Sequence, residues 1–366
     1  MHLTVALLCC CAGTAALMSP SVVVGLNSAL QRTVAVERLA VGSVNRAVRS
    51  STGVGGKGQG CYVALTALWR AHGGDRPCLA QFEGTGGTAA QLRDALGAAT
   101  GGADDDSLWV RTKSATRVAT TLVEAGGAAT EIVEPSGHVE PGEFAALLAA
   151  LRARPKAAGM AIMGSAPPGV PADCYAQIVS AATGTDSLAV VDTVVGLDAL
   201  LGAAAATGCT VLLKLNAREL IGMAKLALPQ GGDSEAAADF DTAAAAAHAV
   251  AASLPPGAVR FVAWTDGPFP AGLVDVAGAR DEATRFSLPP LPGPVLSPIG
   301  AGDSVSAGTL HKWTGAGAGD PAAAFRFGLA VGAASCLSAS NACFDVATVE
   351  EIASGIGVET VVVGVV

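Results

Sequence analysis

The chain has 366 residues, of which 51% are hydrophobic, 14% charged and 4% aromatic, and its 22 basic and 31 acidic side chains leave a net charge of −9. That length is one large domain or two ordinary ones, the low charge excludes a solvated disordered chain, and 46 glycines without a three-residue period exclude collagen. The acidic balance argues against nucleic acid or an anionic membrane surface as the main partner.

Residues Leu3–Met18 are uncharged and apolar and precede Ser19-Pro20. The run suits the core of a signal peptide or a short anchor, but His2 is the only polar residue before it, and small residues at Ala12, Thr14, Ala15 and Ala16 offer a cleavage site. A misplaced start or an unstructured extension fits equally. Residues 1–20 are therefore set apart as an N-terminal hydrophobic extension, with a cytoplasmic location or organellar or secretory entry both open. Mean hydropathy is high, at +0.48. In the body, however, the longest apolar runs are broken by Asp198 and Arg326 and much of the rest is Ala, so no spanning helix and no membrane partner are expected there.

Ser21–Leu26 reads as a buried first strand. Thr33–Val36 and Val44–Val48 read as short strands broken at Gly42. Gly53–Gly58 reads as a glycine turn and Tyr62–Ala71 as a helix. Leu79–Phe82 follows as a strand, Thr88–Leu96 as a helix, and 108–133 as a return to strands. Beyond residue 140 the rhythm is strand and helix in turn: helices at 144–153, 171–183, 196–206 and 239–253, strands at 158–163, 188–192, 210–215 and 260–264. Such alternation implies a parallel sheet covered on both faces. The β-rich stretches near 28–51 and 108–133 break the rhythm and are expected to form a small lid sheet inserted in one domain spanning 21–355. Asp104-Asp105-Asp106 reads as a solvated turn. Nine cysteines without a C-x-x-C pair give zinc no support and point to buried thiols.

Ser297-Pro-Ile-Gly300-Ala301-Gly302-Asp303-Ser304 runs into a predicted helix at 305–313. Glycines at a helix start expose backbone N–H groups at the positive end of its dipole, which makes an anion site. Asp303 inside such a turn suits a general base, or else is simply a helix-capping Asp. Gly55-Gly56-Lys57-Gly58 is another glycine turn before a helix, but no Ser or Thr follows the Lys, so it is not a P-loop. Lys214-Leu-Asn216-Ala-Arg-Glu219 ends a strand, where parallel sheets bind ligands. Asn216 and Glu219 share one face of a turn and suit either a hydrated Mg²⁺ or a plain capping box. Thr265-Asp266-Gly267 ends another strand and faces a nucleotide or forms a simple turn.

Taken together and in this order, Val44-Asn45-Arg46, the GGKG nine residues later, Gly164-Ser165-Ala-Pro-Pro-Gly-Val-Pro, N-x-x-E and Ile299-Gly-Ala-Gly-Asp303 resemble the PfkB, or ribokinase-like, carbohydrate kinases over about 21–355. The nearest branch in kind is that of tagatose-6-phosphate and fructose-1-phosphate kinases. The resemblance implies a ribokinase-like three-layer α/β sandwich with a mainly parallel central sheet and a small β-sheet lid. It implies ATP and Mg²⁺ as cofactors and a small-molecule sugar phosphate as substrate, with a homodimer formed through the lid.

By the same resemblance, Asp303 is the catalytic base and Gly300, Ala301 and Gly302 the anion hole. Lys214, Asn216, Thr265 and Gly267 bind nucleotide, and Asn216 and Glu219 hold the metal through water. Gly55, Gly56, Lys57, Ser165 and Arg117 lie on the acceptor side, with Arg46 reaching a phosphate from a partner's lid. Two positions depart from the family pattern. Gln31 stands where an Asp grips sugar hydroxyls, and Gly60 where an Asn is usual. A neutral-sugar or nucleoside kinase and a non-catalytic binding protein therefore remain as rivals.

Overall fold

A computed structural model describes residues 21–74, 76–102, 107–126, 128–225, 238–279, 281–315 and 319–363. The N-terminal extension and the Asp104–Asp106 turn lie outside these residues. The chain opens with β1 (Ser21–Val24), β2 (Ala29–Val36), β3 (Arg49–Gly55) and α1 (Lys57–His72). Next come β4 (Cys78–Thr85), α2 (Gly87–Thr100), β5 (Leu108–Ala115), β6 (Arg117–Glu124), β7 (Ala129–Val133) and α3 (Pro141–Arg152). The regular alternation then runs β8 (Gly159–Met163), α4 (Cys174–Ala182), β9 (Leu188–Asp192), α5 (Leu197–Thr207), β10 (Thr210–Asn216), α6 (Ala217–Met223) and α7 (Phe240–Ser253). It closes with β11 (Phe261–Asp266), β12 (Phe269–Asp275), β13 (Glu282–Ser287), α8 (Ala301–Thr314), α9 (Pro321–Ser335), α10 (Val346–Gly355) and β14 (Gly357–Val362).

Ten strands form the large sheet in the order β14-β13-β12-β11-β10-β9-β8-β1-β4-β5, and four form the small one, β3-β2-β6-β7. From β11 to β5 every neighbouring pair is parallel. Burial on both faces explains the near-continuous apolar strands. Val22 and Val24 pack with α3, α4, α5 and α7, whereas Val23 between them packs with α1, α8 and α9. The three-layer α/β sandwich is thus as expected. No helix among the described residues is long and apolar enough to cross a membrane. Cys61, Cys78, Cys174 and Cys209 are buried thiols.

Two expectations change, and one feature is added. The sequence pattern places Leu108–Ala115 in the lid, but β5 pairs in parallel with β4 at the edge of the large sheet, so the lid keeps only β6 and β7 from that stretch. Alternation alone does not say which sheet a strand joins. Val44–Val48 is irregular, and the strand lies later, at Arg49–Gly55, where it absorbs the first glycines of the supposed turn. Pairing of Ala29–Ala35 with Arg49–Gly55 fixes that register. Finally, β12, β13 and β14 add an antiparallel wing beyond β11 that helix–strand alternation does not deliver.

The strand order reverses around β1, which has β8 on one side and β4 on the other, and such a switch point opens a crevice at the strands' carboxyl ends. The chain leaves β1 directly into the lid and returns through β3 into α1. A Cβ on Gly25 would lie 2.8 Å from the Gly58 Cα, so two glycines let the start of α1 sit against the end of β1.

Candidate active site

One cavity of about 1300 Å³ follows this crevice and gathers nearly every residue singled out in the sequence. Its floor is built from the carboxyl ends of five parallel strands: Asn27 after β1, Ser165 after β8, Asp192 on β9, Lys214 and Asn216 on β10, and Thr265 on β11. The lid roofs one end through Gln31 and Arg117, and a proline-rich loop walls the other through Leu288, Pro289 and Val295.

Asp192 is the electrostatic hub. It is 2% exposed and accepts hydrogen bonds from Lys57 Nζ at 2.8 Å and Lys214 Nζ at 2.6 Å. Burial alone would push its pKa up, but Lys214 and then Lys57 outweigh that and hold the carboxyl below its ordinary value. Lys214 also donates to the Gly302 carbonyl at 3.1 Å, tying β10 to the first turn of α8. Lys57, expected on the acceptor side, lines the cavity beside Gly56 and Ser165. As the first residue of α1 it reaches toward β9 and α6, with Nζ 3.7 Å from Glu219 Oε1, because those carboxylates draw it. Burial disfavours its charge, yet Asp192, Glu219 and Asp303 together raise its pKa.

Gly300, with φ of 81°, caps α8, and the first intrahelical bond runs from Ser304 N–H to the Gly300 carbonyl at 2.9 Å. The first-turn N–H groups of Gly302 and Asp303 thus precede the helical ladder, whereas Ala301 donates to the Pro298 carbonyl at 3.3 Å. Gly300 is the N-cap and Asp303 the third residue of the helix, so the simple capping explanation fails. Burial first and the nearby Asp192 charge second push its carboxyl up to about 7, against the opposing pull of Lys214 and Lys57. Such a carboxyl changes protonation near neutral pH, as a proton acceptor must. Gly60 faces it from α1: a Cβ there would stand 2.7 Å from Asp303 Oδ2, so the departure from Asn makes room for the carboxylate.

Asn216 and Glu219 do form the capping box: Asn216 Oδ1 accepts from Glu219 N–H at 2.7 Å and Glu219 Oε2 from Asn216 N–H at 3.0 Å. Glu219 Oε1 is left over beside Lys57. One free carboxylate oxygen suits a hydrated hard cation held through water rather than direct chelation. Among the described residues no group of three His, Cys, Asp or Glu could hold a metal directly.

At the lid end, Gln31 Nε2 donates to Thr121 Oγ1 at 2.8 Å, and Ser165 Oγ accepts from Asn27 Nδ2 at 2.9 Å. Arg117 donates to the Asn27 carbonyl at 3.2 Å, while its buried Nε has no partner. Burial lowers the Arg117 pKa and the Glu131 charge opposes the shift. Gly55, Gly56 and Gly267 line the cavity. Arg46 does not: it is exposed in the 37–48 loop between β2 and β3.

Sequence reasoning missed Asp192, Asn27 and Glu131. The available signal for Asp192 was a lone carboxylate closing an apolar strand, LAVVD.

The model for pfkB family carbohydrate kinases matches residues 21–344. The chain belongs to that family. It is a phosphotransferase of the ribokinase-like fold, in a family of sugar kinases that generally use ATP and a divalent metal. Among solved structures, the tetrameric inhibited form of phosphofructokinase-2 from Escherichia coli is 24% identical with a TM-score of 0.72, covering 92% of this chain and 99% of that one. A possible 1-phosphofructokinase from Thermotoga maritima is 18% identical with a TM-score of 0.70, covering 93% and 99%. Ribokinase from Arabidopsis thaliana, complexed with ribose and ATP, is 17% identical with a TM-score of 0.67, covering 92% and 99%. Identities this low carry the fold alone. No curated protein matches the sequence.

Proposed function

We propose that the protein transfers the γ-phosphoryl group of ATP to a hydroxyl of a ketohexose monophosphate of the fructose-1-phosphate, fructose-6-phosphate or tagatose-6-phosphate type. The observation that carries this reading is Asp303, a carboxyl pushed up to about 7 beside the open N–H groups of the α8 first turn. Asp303 takes the proton from the attacking hydroxyl. The N–H groups of Gly302 and Asp303 receive the transferred phosphoryl oxygens, and Lys57 and Lys214 supply positive charge beside them. Glu219, with Asn216 holding its other oxygen in place, is the residue to carry Mg²⁺ through water, and a bound Mg²⁺ would neutralise phosphate charge. The nucleotide lies along Thr265 and Gly267.

At the acceptor end, Arg117 lines the cavity and carries the positive charge for a phosphate, with Gln31, Ser165 and the Gly55-Gly56 backbone around the sugar. Val41, Val44, Val48 and Ile132 expose large apolar side chains on the lid, which supports pairing of two copies through it. Arg46, in the same loop, would then approach the partner.

The test is ADP release with Mg-ATP and fructose-1-phosphate, fructose-6-phosphate, tagatose-6-phosphate, fructose, ribose or adenosine. Turnover on one phosphorylated ketohexose is the expected result. Turnover on fructose, ribose or adenosine alone would move the assignment to a neutral acceptor, and nucleotide binding without turnover would make the protein a binding member of its family.

A further inference from the structure

The charges lining the cavity fall into two groups. Lys57, Lys214, Asp192, Glu219 and Asp303 cluster where the strands end. Among the described residues, the charged groups lining the lid end are Arg117 and Glu131. Strand register explains why these two share a surface. Thr121 pairs with Glu131 and Ala119 with Val133, so Arg117, Ala119 and Thr121 on β6 and Glu131 and Val133 on β7 alternate onto one face of the lid sheet. Gln31, directly paired with Ala119, joins that face from β2. All but Thr121 line the cavity, and the Glu131 charge is felt at the Arg117 guanidinium.

Gln31 has lost the carboxylate expected at its position, and its amide nitrogen is occupied by Thr121. A sugar still needs a strong acceptor for its hydroxyl protons, and Glu131 is the carboxylate within this end of the cleft. The same charge works against a phosphate. One arginine set against one carboxylate gives the lid end no net charge, whereas tight phosphate sites surround the anion with donors.

We propose that Glu131 is a specificity-determining residue of the acceptor site, which accepts hydrogen bonds from sugar hydroxyls and restrains the affinity of Arg117 for phosphate. The proposal rests on the acceptor placement given above, but its test separates the two. An edge strand also carries charge merely to avoid unwanted pairing, and a charge of that kind would leave acceptor choice untouched.

The ratio of kcat/KM for fructose-6-phosphate to that for fructose is measured in wild type, Glu131→Gln and Glu131→Arg. Because Glu131 is exposed on an edge strand, both variants are expected to fold, with unchanged Tm as the control. Glu131→Gln should shift the ratio toward the phosphorylated sugar by about tenfold, the effect of removing one close like charge, and Glu131→Arg should shift it further. A ratio within twofold of wild type in both variants would overturn the proposal. Thermal-shift titration with fructose-6-phosphate needs no turnover. Tighter binding by Glu131→Gln is expected there, and equal protection, or none in either protein, overturns the proposal. Absence of ADP release from wild type with every acceptor would instead count against the kinase substrate reading and leave this binding comparison to decide the role of Glu131.

Discussion

The two ends of the cleft are built on different principles. Where the parallel strands finish, Asp192 binds Lys57 and Lys214, Lys214 binds the Gly302 carbonyl, and Glu219 faces Lys57. Those contacts run between β9, β10, α1, α6 and α8, so no single element can shift without breaking one of them. At the lid end Arg117 keeps an unpartnered Nε and Glu131 is exposed. The first end has its dipoles and charges fixed before any ligand arrives, which is how electrostatic stabilisation avoids reorganisation cost. The second leaves polar groups for the acceptor to complete. Phosphoryl transfer demands the same geometry whatever the acceptor, so the rigid end suits the chemistry and the open end suits substrate choice.

The largest effect that could break this contrast comes from Asp303. Asp303→Asn should lower kcat by about 10²–10⁴, the span for losing a positioned base, while ATP affinity measured by calorimetry stays within a few-fold. Near-normal turnover would remove Asp303 from the chemistry. In wild type, kcat/KM should climb with pH and level off above about 7, since the proposed base accepts a proton only when ionised. Stability runs the other way. The folded carboxyl keeps its proton up to about pH 7, whereas the unfolded chain releases it near ~3.9. The folded state therefore binds more protons across that window, and stability falls as pH rises from about 4 to 7. Asp303→Asn escapes that loss and should melt above wild type at pH 8, by on the order of 1–3 kcal/mol in unfolding free energy.

Asp192→Asn probes the fixed end as a network. It leaves two ammonium groups facing a neutral amide, and urea unfolding should show a loss of about 3–5 kcal/mol, as for removing one partner of a buried pair. A loss under 1 kcal/mol would mean that the lysines find other partners. Gly60→Ala pushes a methyl against the Asp303 carboxylate and should cost about ten- to a hundredfold in kcat, the scale of a slight misplacement of a reacting group, with little change in Tm.

The open end should respond more gently. Arg117→Ala should raise KM for a phosphorylated sugar by about tenfold, the value of one charge-assisted contact, and change kcat less. An unchanged KM would place the phosphate elsewhere. Replacing Val41, Val44 and Val48 together with Ser should shift the protein toward monomer in light scattering while leaving the fold intact; an unchanged mass would exclude the lid loop as the contact.

The fixed end was also the more legible one. Glycines before a helix, a carboxylate among them and N-x-x-E after a strand carry their chemistry in local spacing, because helix starts and strand ends are built from neighbours in sequence. Even so, Asp192 was read only as the end of a strand. Its role depends on Lys57 and Lys214, which lie 135 and 22 residues away and meet it only across the sheet. Lys57 itself shows the same limit, since its motif gave the turn but not the direction of the side chain. Glu131 offered no local signal at all, because Arg117 belongs to another strand and only the register of the lid sheet puts both on one face.

The sequence by itself determined the alternation of buried strands and helices, the glycine-rich start of α8 with Asp303 inside it, and the family to which such an ordered set of motifs belongs. These follow from side-chain periodicity and from backbone groups close along the chain. Tertiary structure alone decided that β5 joins the large sheet, that β12, β13 and β14 extend it in antiparallel, and that Asp192 binds two lysines. It also decided that Gly60 leaves space for Asp303 and that Glu131 shares a face of the lid sheet with Arg117. Each of these relates residues distant in sequence, and is set by strand register and by how closely two backbones can approach.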